Sequence, residues 1–435
     1  MSASLTVEAS LPFYAHHVRG AVFGVLIGDA LGVPYEFHAP EELPPKHLID
    51  MTPPKGFRRA HAGVPPGTWS DDGALMLALL DSLTTVTPFT VDDFAQRMLA
   101  WRRDGKYTPD GVVFDVGIQT STALQRIAKG TPAAQAGPVG ERDNGSGALM
   151  RVLPVAFMAT SDAEAVRLAR LQGLPTHGHL WSQLACALYV LVARELLAGQ
   201  PFDAAYERAC AALPAFLKPD EAQVFSTLLA GRTPGRGSGF VLDSLWSAFD
   251  CLAATSSFED AVRSAIALGH DTDTTACIAG GLAGALYGPQ GIPERWRQAL
   301  RGRGLVDAAL AAIALDVGDA CDDALKRAEY NDAGRVMLFH TTTRERAQSI
   351  LAEGFRNGRL SGVEEAVGRG VSLALEAVGI LHEVEGDAII EIEVPREVNL
   401  REYFVVEDGM PVWELLVPAD VVTAWPRRLK GQVRP

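Results

Sequence analysis

Between Arg19 and Gly32 the chain reads Arg-Gly-Ala-Val-Phe-Gly-Val-Leu-Ile-Gly-Asp-Ala-Leu-Gly, with glycines at positions 20, 24, 28 and 32. Glycine at four-residue spacing permits a helix to pack closely against a neighbour, at a cost of up to about 1 kcal/mol each relative to alanine. The segment ends in Val33-Pro34-Tyr35-Glu36-Phe37, where the proline interrupts the pattern. Apolar residues recur at helical spacing from about residue 14 to 330, as in Ala74–Leu79, Trp181–Tyr189 and Ala261–Leu268, so this part reads as nearly all α. Pro and Gly clusters at Pro44-Pro45, Pro53-Pro54, Val64–Gly67 and Thr233–Gly237 mark loops, and the last two are candidate borders of an active site.

The texture changes after Tyr330-Asn331-Asp332-Ala333-Gly334. Short strand-like runs come next at Val336–Phe339, Ala388–Val394 and Tyr403–Val406, as expected of a second, α+β domain of about 100 residues. The expected division is a helical domain over 15–330 and a smaller domain over 335–435.

A formal charge of -14 argues against broad nucleic-acid binding, which needs clustered Lys and Arg to displace counterions. Carboxylates in excess suit divalent cations instead. The five cysteines stand singly, with no CxxC or His-rich spacing, and read as reduced core residues. The first twenty residues lack a basic start and an apolar central run, and the uncharged stretch Thr274–Gly291 is small-residue-rich and broken by Pro289. The expectation is a cytoplasmic protein with no membrane segment.

Two acidic motifs carry the chemistry. Gly67-Thr68-Trp69-Ser70-Asp71-Asp72-Gly73 precedes an apolar helix, and Gly269-His270-Asp271-Thr272-Asp273-Thr274-Thr275 precedes a helix of small uncharged residues. Each has a plain reading as a helix cap with a spare acid. Taken together, Ser-Asp-Asp and Asp-x-Asp-Thr supply the carboxylate and hydroxyl oxygens that a site for two hard cations needs from separate chain segments. Asn144-Gly145-Ser146-Gly147 comes directly before an apolar run containing Arg151, and its backbone N–H groups could face a phosphate at a helix N-terminus.

Gly28–Phe37, Trp69–Asp72, Asp115-Val116-Gly117-Ile118-Gln119-Thr120, Asn144–Arg151, Thr176-His177-Gly178 and Asp271–Thr274 occur in that order, and together they resemble the ADP-ribosylglycohydrolase family over about residues 15–330. Ser70 stands where Thr is frequent and Gly73 where a second hydroxyl is common. The resemblance implies an all-α orthogonal helical bundle and two divalent ions, Mg²⁺ or Mn²⁺, held by Ser70, Asp71, Asp72, Asp271, Asp273 and Thr274. It implies Glu36 as the proton-transfer residue, Asp115 as an acid that orders water beside the ions, and Asn144, Gly145, Ser146, Gly147 and His177 as the lining of an ADP-ribose cleft. The implied reaction is metal-dependent hydrolysis of ADP-ribose from a modified acceptor, a protein or another ADP-ribosylated molecule. Loss of activity to leave an ADP-ribose reader, and metal-dependent hydrolysis of a phosphoester, are the competing functions.

In the C-terminal part, Leu338-Phe339-His340-Thr341-Thr342-Thr343 leads into a helical stretch and Gly354-Phe355, with Val371-Ser372 and Val412-Trp413-Glu414-Leu415 later in the chain. This order resembles the ADP-ribosyltransferase-like fold, in which an early His and a late Glu lie in an NAD cleft; His340 and Glu414 fit those places. Ser372 lies where a Tyr is common, which favours an NAD- or ADP-ribose-binding or degenerate module over an active transferase.

Overall fold

A computed structural model describes residues 11–313, 337–342, 344–353, 371–374, 388–395, 404–407, 410–417 and 419–430. Two compact units are described separately, His17–Ile313 and the C-terminal segments from Met337.

Among its described residues the first unit is helical. Its long helices include Leu11–Gly32, Asp71–Thr85, Val91–Asp104, Leu180–Leu197, Val241–Ala253 and Thr272–Tyr287. The three periodic runs read from the sequence lie in helices, and the Pro and Gly clusters lie between them. Capping obeys ordinary side-chain chemistry. Ser70, Thr90, Ser161 and Ser257 each accept a backbone N–H of the next first turn, and Gly105 stops the helix Val91–Asp104 in a left-handed conformation.

Two helices are long and apolar enough to cross a membrane by length and composition, His16–Tyr35 and Leu180–Leu197. Their apolar windows are 94% and 72% buried inside the protein, because these helices form the centre of the unit.

The glycine spacing has its counterpart across the core. A Cβ on Gly20 would lie 2.4 Å from the Gly284 carbonyl oxygen, on Gly24 2.0 Å from that of Gly280, and on Gly28 2.1 Å from that of Ala276. On Gly32 it would meet Asp273 Cα at 2.4 Å. The helices Leu11–Gly32 and Thr272–Tyr287 therefore pack backbone against backbone, and the seam ends at an acid of the second motif. That contact fixes where Asp273 stands.

In the C-terminal segments the strands β1 (Met337–Thr342), β2 (Val371–Ala374), β3 (Ala388–Glu393), β4 (Phe404–Glu407), β5 (Met410–Val417) and β6 (Arg427–Lys430) form one sheet in the order β4-β5-β2-β1-β3-β6. Every pairing is antiparallel. Two helices, Arg344–Glu353 and Ala419–Thr423, accompany it. Ile390, Ile392, Val394, Val422 and Trp425 are buried among the described side chains.

The seam makes Gly24→Ala and Gly28→Ala destabilising by about 1–3 kcal/mol or more, despite the better helix propensity of alanine. Gly304, whose Cβ would meet nothing within 4 Å in the helix Arg303–Ala312, is the control: Gly304→Ala should be neutral or stabilising. Thermal melts of the three variants check this, and equal effects at all three positions would contradict the seam.

Candidate active site

Three chain segments bring acids to one place. Glu36 comes directly after the short turn Val33–Tyr35, Asp71 and Asp72 open the helix Asp71–Thr85, and Asp271 stands at the N-cap position of Thr272–Tyr287. Two backbone hydrogen bonds tie the first segment to the third, Phe37 N–H to the His270 carbonyl at 2.8 Å and His270 N–H to the His38 carbonyl at 2.7 Å. Glu36, Ser70, Asp71, Asp72, Asp273 and Thr274 are buried. Asp271 and Asp115 are partly exposed. Among the described residues none of these carboxylates is paired with Lys or Arg.

The plain reading of Ser70 is also correct, since its Oγ accepts the Asp72 N–H at 3.3 Å. A hydroxyl has two acceptor lone pairs, so the cap does not exclude ligation. Asp115 stands two residues ahead of Gly117, which occupies the N-cap position of Ile118–Ala128.

Burial is the largest influence on Glu36, Asp71, Asp72, Asp271 and Asp273. It raises Asp71, Asp72 and Asp273 well above the usual carboxylate range, with the charges of neighbouring carboxylates adding to it. Asp271 is pushed up to about 6 by burial, and Glu36 to about 10 by burial and the charges of Asp115, Asp271 and Asp29. Asp72 Oδ2 and Asp273 Oδ2 are buried without a hydrogen-bond partner. Ligand atoms of Glu36, Asp271 and Asp273 lie within 4.8 Å of one another, and so do those of Glu36, His61 and Asp115. Orphaned carboxylate oxygens beside the hydroxyls of Ser70 and Thr274 are the donor set of a hard divalent cation, and the residues fit one.

Asp29 and His61 were not singled out from the sequence. Asp29 is fully buried and accepts Ser70 N–H with both oxygens, at 2.9 and 3.0 Å, and Gly73 N–H at 2.7 Å. It thereby clamps the start of the helix that carries Asp71 and Asp72, while burial raises it to about 7. Its signal was present: it is the one charged residue in the apolar stretch from Gly20 to Gly32. His61 places Nε2 2.7 Å from Glu36 Oε2 and 3.9 Å from Asp115 Oδ1, with its ring between those of Phe37 and Phe114. It lies in a Pro- and Gly-bounded loop, and nothing in its local sequence marks it. Phe37, His61, Asp115 and His270 all have left-handed backbone, four strained positions in the segments that carry these acids.

The glycine turn is joined to the acids through Gly237–Gly239. Asp271 N–H bonds the Gly237 carbonyl at 2.9 Å and Ser146 N–H the Gly239 carbonyl at 3.0 Å. Gln119 stitches the turn from the other side, accepting Gly145 N–H at 3.2 Å and donating to the Asp143 and Thr176 carbonyls. The amides of Gly145 and Ser146 are thus engaged within the protein, and the chain forms a short 3-10 turn, Ser146–Ala148, in place of the expected helix N-terminus. Asn144 and Ser146 are buried, and a Cβ on Gly147 would meet His177 Cε1 at 2.7 Å, so the turn and His177 are in close contact. Arg151 is fully buried behind them, bonded to Gln172 and Thr176.

His340, Ser372 and Glu414 are described by backbone position alone, on β1, β2 and β5. These strands are neighbours in the sheet, with Ala374 paired to Glu414 and Phe339 to Ala374.

A sequence model described as ADP-ribosylglycohydrolase matches residues 11–330. An ADP-ribosylarginine hydrolase Tri1 of Serratia proteamaculans is 30% identical over 279 residues, covering 64% of this chain and 73% of that protein. The ADP-ribosyl-[dinitrogen reductase] glycohydrolase of Rhodospirillum rubrum is 29% identical, covering 68% of this chain and 96% of its own length. A solved structure titled ADP-ribosylglycohydrolase-related protein complex superposes with a TM-score of 0.57 at 30% identity, covering 69% of this chain and 98% of that one. With the acid cluster, the glycine turn and the helical fold in the same 11–330 span, the chain belongs to the ADP-ribosylglycohydrolase family and is a hydrolase acting on glycosyl bonds.

Proposed function

We propose that the helical unit frees ADP-ribose from a modified protein side chain, with arginine as the acceptor, and that Glu36 moves the proton. The observation that carries this reading is the setting of Glu36, a buried carboxyl held against Asp115, Asp271 and Asp273 and hydrogen-bonded to His61. Ser70, Asp71, Asp72, Asp271, Asp273 and Thr274 would hold two divalent cations, Mg²⁺ or Mn²⁺. When bound, these supply Lewis acidity toward the ribose hydroxyls and an activated water.

Cleaving the ribosyl bond passes through an oxocarbenium-like state, and the departing nitrogen needs a proton. Burial and neighbouring charge raise the Glu36 carboxyl to about 10, and in its protonated form Oε2 can hand the proton to that nitrogen. Asp115 accepts from the attacking water and orients it. Asn144, Gly145, Ser146 and Gly147, with His177 behind them, bind the ADP-ribose. Arginine is supported by the name of the Serratia relative and by the surrounding carboxylates, which favour a cationic acceptor.

The C-terminal segments, over 335–435, are read as a separate ADP-ribosyltransferase-like module that binds NAD or ADP-ribose. The placement of His340, Ser372 and Glu414 on three adjacent strands supports this reading. The free thiols of Cys186, Cys210, Cys251 and Cys277 go with a cytosolic setting.

Purified protein with Mg²⁺ should release free ADP-ribose from an arginine-ADP-ribosylated protein, with the activity lost in chelator and restored by metal. Glu36→Gln should slow release by on the order of 10²-fold or more, and Asp273→Ala should abolish it. AMP as the product would assign phosphoester hydrolysis instead, and binding without turnover would assign a reader.

The raised carboxyls also set the response to pH. Below the ordinary carboxylate range these groups are protonated in the folded and the unfolded chain alike. As pH rises the unfolded chain loses protons that the folded chain retains, up to about 6 for Asp271, 7 for Asp29 and 10 for Glu36, so stability falls. In chelator the thermal midpoint should drop between pH 5 and 8, and saturating Mg²⁺ should shrink that drop. A flat profile in chelator would contradict the crowding of acids.

A further inference from the structure

Behind the glycine turn and His177 lie three buried polar side chains that the proposed chemistry does not use, Arg151, Gln172 and Thr176. Arg151 is fully buried, with no carboxylate partner among the described residues, and still carries its charge at neutral pH, since burial lowers its guanidinium only to about 10. Its Nε donates to Gln172 Oε1 at 2.9 Å, and its Nη2 donates to the Gln172 carbonyl at 2.9 Å and to Thr176 Oγ1 at 2.8 Å. The same Thr176 Oγ1 lies 2.8 Å from His177 Nδ1. Thr176 is itself fully buried. On the far side of the imidazole, the Cβ positions of Gly145 and Gly147 would fall 3.4 and 3.1 Å from His177 Nε2.

The direction of each hydrogen bond is set by the chemistry of the groups. A guanidinium only donates, so Thr176 Oγ1 accepts from Arg151. The Thr176 hydroxyl hydrogen then needs an acceptor, and among the described residues the one within hydrogen-bond distance is His177 Nδ1. With Nδ1 accepting, a neutral ring must carry its hydrogen on Nε2. Burial and the nearby Arg151 charge hold His177 well below its usual titration range, so the ring is neutral. The opposite arrangement, with Nδ1–H donating to Oγ1, would leave the Thr176 hydroxyl hydrogen buried with nothing to receive it.

We propose that Arg151 and Thr176 are positioning residues that lock His177 in its Nε2–H tautomer, so that the Gly145–Gly147 turn is backed by a fixed neutral donor for an oxygen of the bound ligand. A neutral N–H selects an acceptor atom, a phosphate or ribose oxygen, and rejects a donor presented at the same point. Gln172 extends the brace, its Nε2 donating to the Ala148 carbonyl at 3.0 Å on the same turn. The proposal rests on the reading of this turn as part of the ADP-ribose cleft.

Long-range ¹H–¹⁵N correlation spectra of the full chain labelled at histidine test it, with His177→Asn to assign the signals. The expected wild-type pattern is a neutral ring with a bare Nδ1 and a protonated Nε2, unchanged in Thr176→Ser. Thr176→Val, which cannot donate, should release the tautomer and weaken ADP-ribose binding about tenfold by calorimetry, the equivalent of one hydrogen bond. Arg151→Lys should shift the same signals in part. A wild-type ring protonated on Nδ1 or positively charged overturns the proposal, as does a folded Thr176→Val with wild-type spectrum and affinity. If Thr176→Val does not fold, the wild-type and Thr176→Ser spectra still decide. Tautomer and affinity are read without turnover, so failure of the hydrolysis assay counts against the proposed reaction and not against this pair.

Discussion

The helical unit is organised around negative charge that it cannot neutralise by itself. Asp29, Glu36, Asp71, Asp72 and Asp273 are buried together with Asp115 and Asp271 beside them, and no Lys or Arg among the described residues pairs with any of them. Taking charged carboxylates out of water is costly, and placing them side by side adds repulsion. The protein meets part of this with dipoles. Asp71 and Asp72 sit in the first turn of one helix, Asp271 and Asp273 at the start of another, where unsatisfied N–H groups favour anions. Asp29 accepts from two backbone N–H groups, that of Ser70 with both oxygens and that of Gly73 with one. The orphaned oxygens of Asp72 and Asp273 are the part that this local compensation leaves over.

Holding such a cluster demands a rigid frame, and the frame comes from the absence of side chains. The glycines of Leu11–Gly32 meet Ala276, Gly280 and Gly284 across the seam, and Gly32 reaches the backbone of Asp273. Ordinary helix pairs stand about 8–10 Å apart and are separated by side chains that can change rotamer. Backbone-on-backbone packing removes that freedom. The same helix carries Asp29 and leads into Glu36, so one element sets both the clamp and the proton carrier. The strained φ values of Phe37, His61, Asp115 and His270 lie in the loops that complete the site, where the frame can hold unfavourable conformations.

Much of this was legible in the residue order. Helical periodicity located the long helices, the four-residue glycine spacing announced a close helix pair, and the two acidic motifs announced where carboxylates would gather. What the residue order did not show shares a cause. The Asn144–Gly147 turn looked like a helix N-terminus with free amides, but Gln119 and Gly239 occupy two of them, and both partners come from distant segments. His61 reaches Glu36 across 25 residues of chain and could not have been found by local pattern.

The sequence by itself determined the kinds of groups present and the local conformations that display them: helices with acidic first turns, glycines that allow contact, a surplus of carboxylate. Such properties depend on neighbours within a turn or two, where spacing and propensity act directly. Tertiary structure decided which acids became neighbours, which amides stayed free and which nitrogen of His177 faces the turn. Those outcomes depend on distances between segments far apart in the chain. Burial then set their consequences, because the energy of a charge or of an unmade hydrogen bond is decided by whether water can reach it.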